Sequence, residues 1–279
     1  MSENKEGFLH PVLDERKCDQ CGICLTACKN YKLKVEKKTK PLQVIACQTK
    51  EKKWLVESTA GGFFPTFAQW IIENGGVAFG TAYDINMKPI VCKASLTDEI
   101  YKFNGSKYVQ SDLSEALPQI KEELEKEKLV LFSGTPCQVA AVKTFCKEFV
   151  DKNLITMDVV CYGVPSPGIF REFIKIIEQK NKARVVDYRF RDKHRNGWSH
   201  TTVITMIRTD GKEKKYEEED YSEIPYYKMF GERNCFRREC YNCKYNTIER
   251  ITDFTTGNFW GIEKMTNTFD TRMGGQCFL

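Results

Sequence analysis

Leu129-Val130-Leu131-Phe132-Ser133 runs into Gly134-Thr135-Pro136-Cys137-Gln138, and a second apolar stretch, Leu154-Ile155-Thr156-Met157-Asp158-Val159-Val160, runs into Cys161-Tyr162-Gly163-Val164-Pro165-Ser166-Pro167. Each apolar run has strand length and ends in turn-forming residues. Each precedes a segment of helical length, 139–149 after the first and 169–179 after the second. A strand–helix–strand succession with so long a connection implies parallel strands joined by a right-handed crossover. Both strand ends then lie on one edge of the sheet, where ligands of open α/β sheets bind. Cys137 and Cys161 each sit just past such a strand end.

Upstream, residues 54–57 read as a short strand. Ser58-Thr59-Ala60-Gly61-Gly62 then opens a helix over 63–73, which stops at Asn74-Gly75-Gly76. Residues 77–83 and 90–94 read as paired strands around a turn at 84–86, and 113–128 as a helix with a charged outer face. Downstream the texture becomes β, with strands over 184–191, 201–208 and 212–216 and a hairpin turn at Asp210-Gly211. The section 235–261, rich in Cys, Asn, Gly and aromatics, reads as a ligand-wrapping loop. The fold class expected is α/β of the mixed α+β kind, a mixed sheet with flanking helices.

A chain of 279 residues holds one sizeable core with an appendage, or two modest domains. Its 41% apolar and 29% charged residues mark a globular chain rather than a disordered one. The net charge of +5 is mild and the signs are interspersed, so no nucleic-acid partner is implied. The start lacks the apolar core of a signal peptide, and no run approaches the ~20 apolar residues that span a bilayer. The expectation is a cytoplasmic protein without a membrane span. In such a compartment thirteen cysteines point to metal more than to disulfides.

Cys18-x2-Cys21-x2-Cys24-x3-Cys28 has the spacing of the bacterial ferredoxin run, in which x2 gaps let three thiolates curl around one cubane corner; Gly22 permits the tight turn. Zinc is the competing reading. Lys29 stands where a proline usually follows, and the fourth ligand is either Cys28 or Cys47. The basic stretch 29–40 reads as a solvated linker. Cys235-x4-Cys240-x2-Cys243 resembles plant-type ferredoxin spacing, with a zinc knuckle equally compatible. Counting ligands favours the cluster: Cys137 and Cys161 share a sheet edge and lack partners, while Cys240 and Cys243 form a pair that lacks two. Together they supply four thiolates for one cubane, with Cys137 at a helix N-terminus that favours thiolate. Cys92, Cys146 and Cys277 read as ordinary packed or surface thiols.

The Gly pair at 61–62 sits at a turn into a helix, where bare amides can cradle phosphate, although tight turns also use Gly for geometry alone. Gly105-Ser106-Lys107-Tyr108-Val109-Gln110-Ser111 is a second small-residue loop with a lysine; by spacing alone it reads as a surface turn. There is no dinucleotide fingerprint and no Walker loop. His10, His194 and His200 are scattered and suggest no catalytic triad. Arg189-Phe190-Arg191-Asp192-Lys193 reads as a solvated strand end, with an anion clamp as the alternative.

Taken in order, Ser58–Gly62, Gly105–Ser111, Gly134-Thr135-Pro136-Cys137-Gln138, residues 158–167 and the segment from Cys240 to Trp260 resemble the coenzyme F420 hydrogenase/dehydrogenase beta-subunit family. Within it the chain is similar to the bacterial branch with a fused [4Fe-4S] ferredoxin-type N-terminus. The resemblance runs from about Gly7 to Gly261. It implies an FAD- and [4Fe-4S]-dependent oxidoreductase with one or two clusters. It implies a ferredoxin-type module over 1–40, a flavin-contacting domain over 43–128 and a C-terminal domain over 129–279. By matching position, Ser58, Thr59, Gly61 and Gly62, with Gly105, Ser106, Lys107, Tyr108, Gln110 and Ser111, would hold FAD. Cys137, Cys161, Cys240 and Cys243 would hold one cluster, and Cys18, Cys21, Cys24 and Cys28 the other. Partners implied are a redox protein such as ferredoxin or a larger oxidoreductase subunit, and an oligomer is compatible. The chain departs from its relatives at Tyr162, where His is common, and at Asn258, where Asp is common. A single ferredoxin run and an early C-terminus suggest a shortened member. The alternative is a non-enzymatic, metal-stabilised accessory or a relay subunit without flavin.

Overall fold

The structure, a computed structural model, describes residues 1–22, 39–265, 269–274 and 276–278. The expected ligands Cys24 and Cys28 lie outside the described residues. In chain order the main elements are β1 (Ser2–Glu3), β2 (Leu9–His10), β3 (Ile45–Cys47), α1 (Lys52–Glu57), α2 (Phe63–Glu73), β4 (Val77–Tyr83), β5 (Pro89–Ala94), α3 (Ala116–Glu125), β6 (Val130–Gly134), α4 (Pro136–Phe145), β7 (Leu154–Val159), α5 (Pro167–Asn181), β8 (Ala183–Arg189), β9 (Thr202–Arg208), β10 (Glu213–Glu218), α6 (Pro225–Gly231), β11 (Phe254–Asn258) and β12 (Gln276–Phe278).

The main sheet has the order β3-β12-β11-β7-β6-β4-β5. Its centre, β11-β7-β6-β4, is parallel. β5 is antiparallel on one edge, and β12 and β3 are antiparallel on the other. The β6–α4–β7 unit is the parallel crossover that the sequence predicts. Alternate residues of the central strands serve opposite faces, and helices cover both. Val77, Phe79, Val130 and Phe132 pack with Ile120 and Leu124 of α3 and Val139 and Val142 of α4. Ala78 and Leu131 pack with Trp54, Ala68 and Ile71 on the other side. Burial on both faces is why these strands read as near-continuous apolar runs. The expected domain boundary at 128/129 falls between β4 and β6, which are neighbours in this one sheet.

A second sheet, β10-β9-β8, is antiparallel, with the expected turn at Asp210-Gly211. Its inner face buries Tyr188, Ile204 and Met206 against Phe170 and Ile174 of α5 and Tyr226 and Tyr227 of α6. The β1–β2 hairpin docks on the body through several bonds. Arg171 grips Glu3 with both Nη atoms at 2.5 and 2.9 Å, and the Ser166 hydroxyl donates to the Glu6 carbonyl. The Gln110 amide accepts from Leu9 N at 2.9 Å and donates to Leu9 O at 3.0 Å.

Two expectations are corrected. Residues 54–57 are not a strand but the body of α1, whose Trp54 is fully buried and donates its indole N–H to Gln69 Oε1 at 2.6 Å. Four residues are too few for periodicity to separate a single helical turn from a strand. The section 235–261 is not loop throughout: Phe254–Asn258 forms β11, in parallel register with β7. Its Thr-Thr-Gly-Asn composition hid it, yet Thr255 and Thr256 are buried.

Candidate functional site: a cleft beside four thiols

The carboxyl ends of β6, β7 and β11 open into a cleft of about 620 Å³. α2 and α4 both point their N-termini toward this edge, because each runs against the parallel strands it covers. Of the ten residues expected to hold a cofactor, Ser58, Thr59, Gly62, Gly105, Ser106, Lys107, Tyr108 and Ser111 line the cleft. The two loops are tied together, since the Thr59 hydroxyl accepts from Ser106 N at 2.8 Å and from Ser106 Oγ at 3.1 Å. Gly62 enters α2 in the left-handed conformation, φ 80°, with no side-chain cap on the helix. The N-terminal end of this helix opens on the cleft, a position suited to an anion.

The other two expectations fall elsewhere. Gly61 does not line the cleft; its carbonyl accepts from Thr49 N at 2.7 Å. Gln110 is spent on the backbone of Leu9, as described above, and holds the N-terminal hairpin. Lys107 donates to the carbonyls of Asn104 at 2.8 Å and Lys102 at 3.1 Å, and burial lowers its pKa to about 7. Ser58 Oγ and both side-chain polar atoms of Asn104 are buried without a hydrogen-bond partner, and both residues line the cleft. Such orphans are uncommon and call for a ligand or water. A helix N-terminus, small-residue loops and orphaned polar atoms together fit a phosphate-bearing group such as a dinucleotide. Asn104 was missed in the sequence because it lies just outside the small-residue loop 105–111.

Cys161 lines the cleft and Cys137 opens α4. Burial first, and then Cys137, with Cys240 and Cys243 adding to it, push the Cys161 thiol up to about 12. Tertiary structure thus brings Cys137, Cys240 and Cys243 within electrostatic reach of Cys161. Among the described residues no three His, Cys, Asp or Glu side chains already stand as a metal-holding group. The donor set, being all sulfur, is of the kind that soft metal centres take. The Thr135 hydroxyl lies 3.2 Å from Cys137 Sγ, and Thr135 N donates to Gln138 Oε1 at 3.0 Å. Gln138 Nε2 in turn donates to Ser111 Oγ at 2.9 Å, which links the thiol turn to the second loop. At the N-terminus Cys18 is half-buried and Cys21 exposed, and Gly22 adopts φ 75° as the tight turn requires. Cys146 is buried in the core, as an ordinary packed thiol should be.

The segment 189–193 is not a solvated strand end: Phe190, Arg191, Asp192 and Lys193 are all buried. Arg191 lines the cleft, and so do His200, Tyr227 and Trp260. His200 was one scattered histidine in the sequence; only the pairing of β8 with β9 brings it beside Arg191.

Residues 127–273, a little more than half of the chain, match the family model that describes the C-terminal part of the coenzyme F420 hydrogenase/dehydrogenase beta subunit. The fold is similar to a chain in the structure of the xenon-derivatised F420-reducing [NiFe] hydrogenase complex from Methanosarcina barkeri. The TM-score is 0.54 and the identity 14%, over 87% of this chain and 76% of that one. No curated protein matches the chain. Among the described residues no helix is long and apolar enough to cross a membrane.

Proposed function

We propose, for a chain that belongs to the coenzyme F420 hydrogenase/dehydrogenase beta-subunit family, that it is a redox subunit whose cleft holds FAD beside a [4Fe-4S] cluster. One observation carries this reading: a single cleft gathers the loops at 58–62 and 105–111, the Gly134–Gln138 turn and Cys161, with Cys137, Cys240 and Cys243 in reach of Cys161. When bound, a flavin exchanges hydride with a substrate and single electrons with a cluster, chemistry that belongs to the cofactors.

The residues have separable tasks. Ser58, Thr59, Gly62 and the amides that open α2 would hold phosphate, with Lys107 adding a cation whose protonation an anion favours. Gln138 couples the two halves, bonding the Thr135 amide on one side and the Ser111 hydroxyl on the other. Cys137, Cys161, Cys240 and Cys243 would hold the cluster, and the Thr135 hydroxyl beside Cys137 would tune it through hydrogen bonding to sulfur. Tyr162 shields this side, packing edge-on against Phe230 and Phe236. The ferredoxin-type run Cys18-Cys21-Cys24-Cys28 would hold a second cluster. Two tethers flank the Cys240–Cys243 segment: Arg237 Nη2 lies 3.4 Å from His10 Nδ1, and Thr39 pairs through its backbone with Arg250. They support electron exchange between the N-terminal module and the four-thiol centre. A redox protein or a larger oxidoreductase subunit would then be the partner.

The test is anaerobic purification followed by an absorbance spectrum before and after dithionite, with iron, sulfide, zinc and flavin analysis. Flavin bands over a bleachable iron–sulfur background are expected, with the iron of one cluster lost in Cys161→Ser and that of the N-terminal cluster kept. Stoichiometric zinc without flavin would instead establish the metal-stabilised accessory, because four thiolates also suit tetrahedral zinc.

A further inference from the structure

The wall of the cleft around Arg191 carries groups that the cofactor reading leaves unused. Arg191 lines it while only 6% exposed. Its Nε donates to Ser199 O at 3.0 Å, but its Nη2 is buried with no hydrogen-bond partner. The acids around this strand end are engaged elsewhere: Asp187 and Glu57 pair with Arg189, and Asp192 with His194 and Arg189. None of the ion pairs among the described residues includes Arg191. Lys193, only 4% exposed, is likewise without a carboxylate, since it donates to the carbonyls of Leu55, Ala60 and Met273. The neighbours register this excess of positive charge. Burial first and the Arg191 charge second lower Lys193 to about 7 and hold His200 below the usual imidazole range. A buried cation without a counter-charge is costly, and it persists where a ligand supplies the anion.

An aromatic shelf stands next to this cation. Trp260, 59% exposed, stacks on Trp198 with ring centroids 4.3 Å apart and lies parallel to His200 at 6.0 Å. The Arg191 guanidinium carbon is 5.4 Å from the Trp260 ring centre and 5.6 Å from that of Trp198. His200 is held in place by the Tyr227 hydroxyl, 3.0 Å from its Nδ1. Phosphates take many donors, such as the loops and the helix N-terminus of this cleft supply. Here a single unpartnered guanidinium nitrogen lies among rings, which suits a flat, singly charged anion. The exposure of Trp260 marks this wall as open to a molecule that arrives and leaves.

We propose that the Arg191–Trp260 wall of the cleft is the substrate subsite, and that it takes a planar ring bearing a carboxylate, the acid group on Arg191 and the ring on Trp260. The proposal deepens the redox reading of the same cleft and depends on it for the reaction, not for binding.

Benzoate is the probe, and benzamide its uncharged counterpart. Titration of the purified full chain is followed by tryptophan fluorescence and, where flavin is present, by perturbation of the flavin bands. Saturable benzoate binding is expected, with benzamide binding at least tenfold weaker. Arg191→Met should weaken benzoate roughly ten- to a hundredfold, because it removes a charge-assisted bond. Arg191→Lys should retain part of the affinity, and Trp260→Leu should lose severalfold. Arg191→Lys and Trp260→Leu also serve if Arg191→Met fails to fold. Failure of the wild-type chain to bind benzoate, or equal binding of benzamide, overturns the proposal. So does release of flavin by Arg191→Met, which would assign the guanidinium to the cofactor. Arg191-dependent benzoate binding in a chain that holds no flavin sustains the subsite and rejects the flavin reading instead.

Discussion

Replacing Gly62 by alanine tests the turn on which the cleft depends. Gly62 sits at φ 80°, and a Cβ there would meet Thr49 Cγ2 at 2.5 Å and Trp54 O at 3.3 Å. The left-handed conformation costs a residue with a side chain about 1–2 kcal/mol. Thr49 cannot simply turn away, because its hydroxyl accepts from Thr66 Oγ1 at 2.8 Å and from Glu51 N at 3.2 Å. Losing one or both of these bonds adds roughly 0.5–1.5 kcal/mol each. Gly62→Ala should therefore lose roughly 2–4 kcal/mol of stability. Thr49→Ser removes the offending methyl and keeps the hydroxyl, so the double variant should retain only the conformational cost, about 1–2 kcal/mol. The assay is urea unfolding followed by circular dichroism, comparing midpoints at constant slope through a double-mutant cycle. Retention of flavin should follow the same order, because the turn presents the first amides of α2 to the cleft. A Gly62→Ala variant within about 0.5 kcal/mol of wild type, the usual range for a surface change, would refute the strain argument. Additive single changes, with no rescue by Thr49→Ser, would refute the contact argument.

Three further outcomes are expected. Lys193 titrates at about 7 in the folded chain, against an ordinary lysine value of 10.5 when unfolded. The unfolded chain then binds more protons between these values, so stability rises with pH across that window, and Lys193→Met should flatten the rise measured by denaturation at pH 7 and pH 9. Asp158, buried, has its pKa raised by desolvation to about 6 from 3.8. Here the folded chain holds the extra proton, so stability falls as pH rises through that interval; Asp158→Asn should remove this slope, measured by denaturation at about pH 4 and about pH 6. Gln110→Leu should unpin the β1–β2 hairpin by stranding two buried backbone groups of Leu9, at about 1–3 kcal/mol each. It should raise hydrogen exchange in residues 1–10 while flavin content stays unchanged, and loss of flavin would return Gln110 to the cofactor site.

The strand–turn–helix units at 129–149 and 154–179 were legible because a parallel strand buried on both faces leaves an unbroken apolar run, and its turn residues mark where it ends. The same local logic located α2 to the residue and paired β4 with β5. The sequence by itself also led to the expectation that Cys137, Cys161, Cys240 and Cys243 form one group, since spacing and strand ends are properties of the chain read in order. What it could not decide were matters of partnership. Gln110 looks like part of a small-residue loop, and only the docking of Leu9 turns its amide away from the cleft. Arg191 and Lys193 look solvated because charge usually is; their burial follows from the pairing of β8 with β9 and from contacts to Leu55, Ala60 and Met273, distant in sequence. β11 escaped notice because a strand rich in Thr and Gly has no apolar signal of its own and exists through its hydrogen bonds to β7. Local pattern therefore determined the strand–turn–helix units, whereas burial and unpaired charge, which depend on what the rest of the chain places alongside, were decided by the tertiary structure alone.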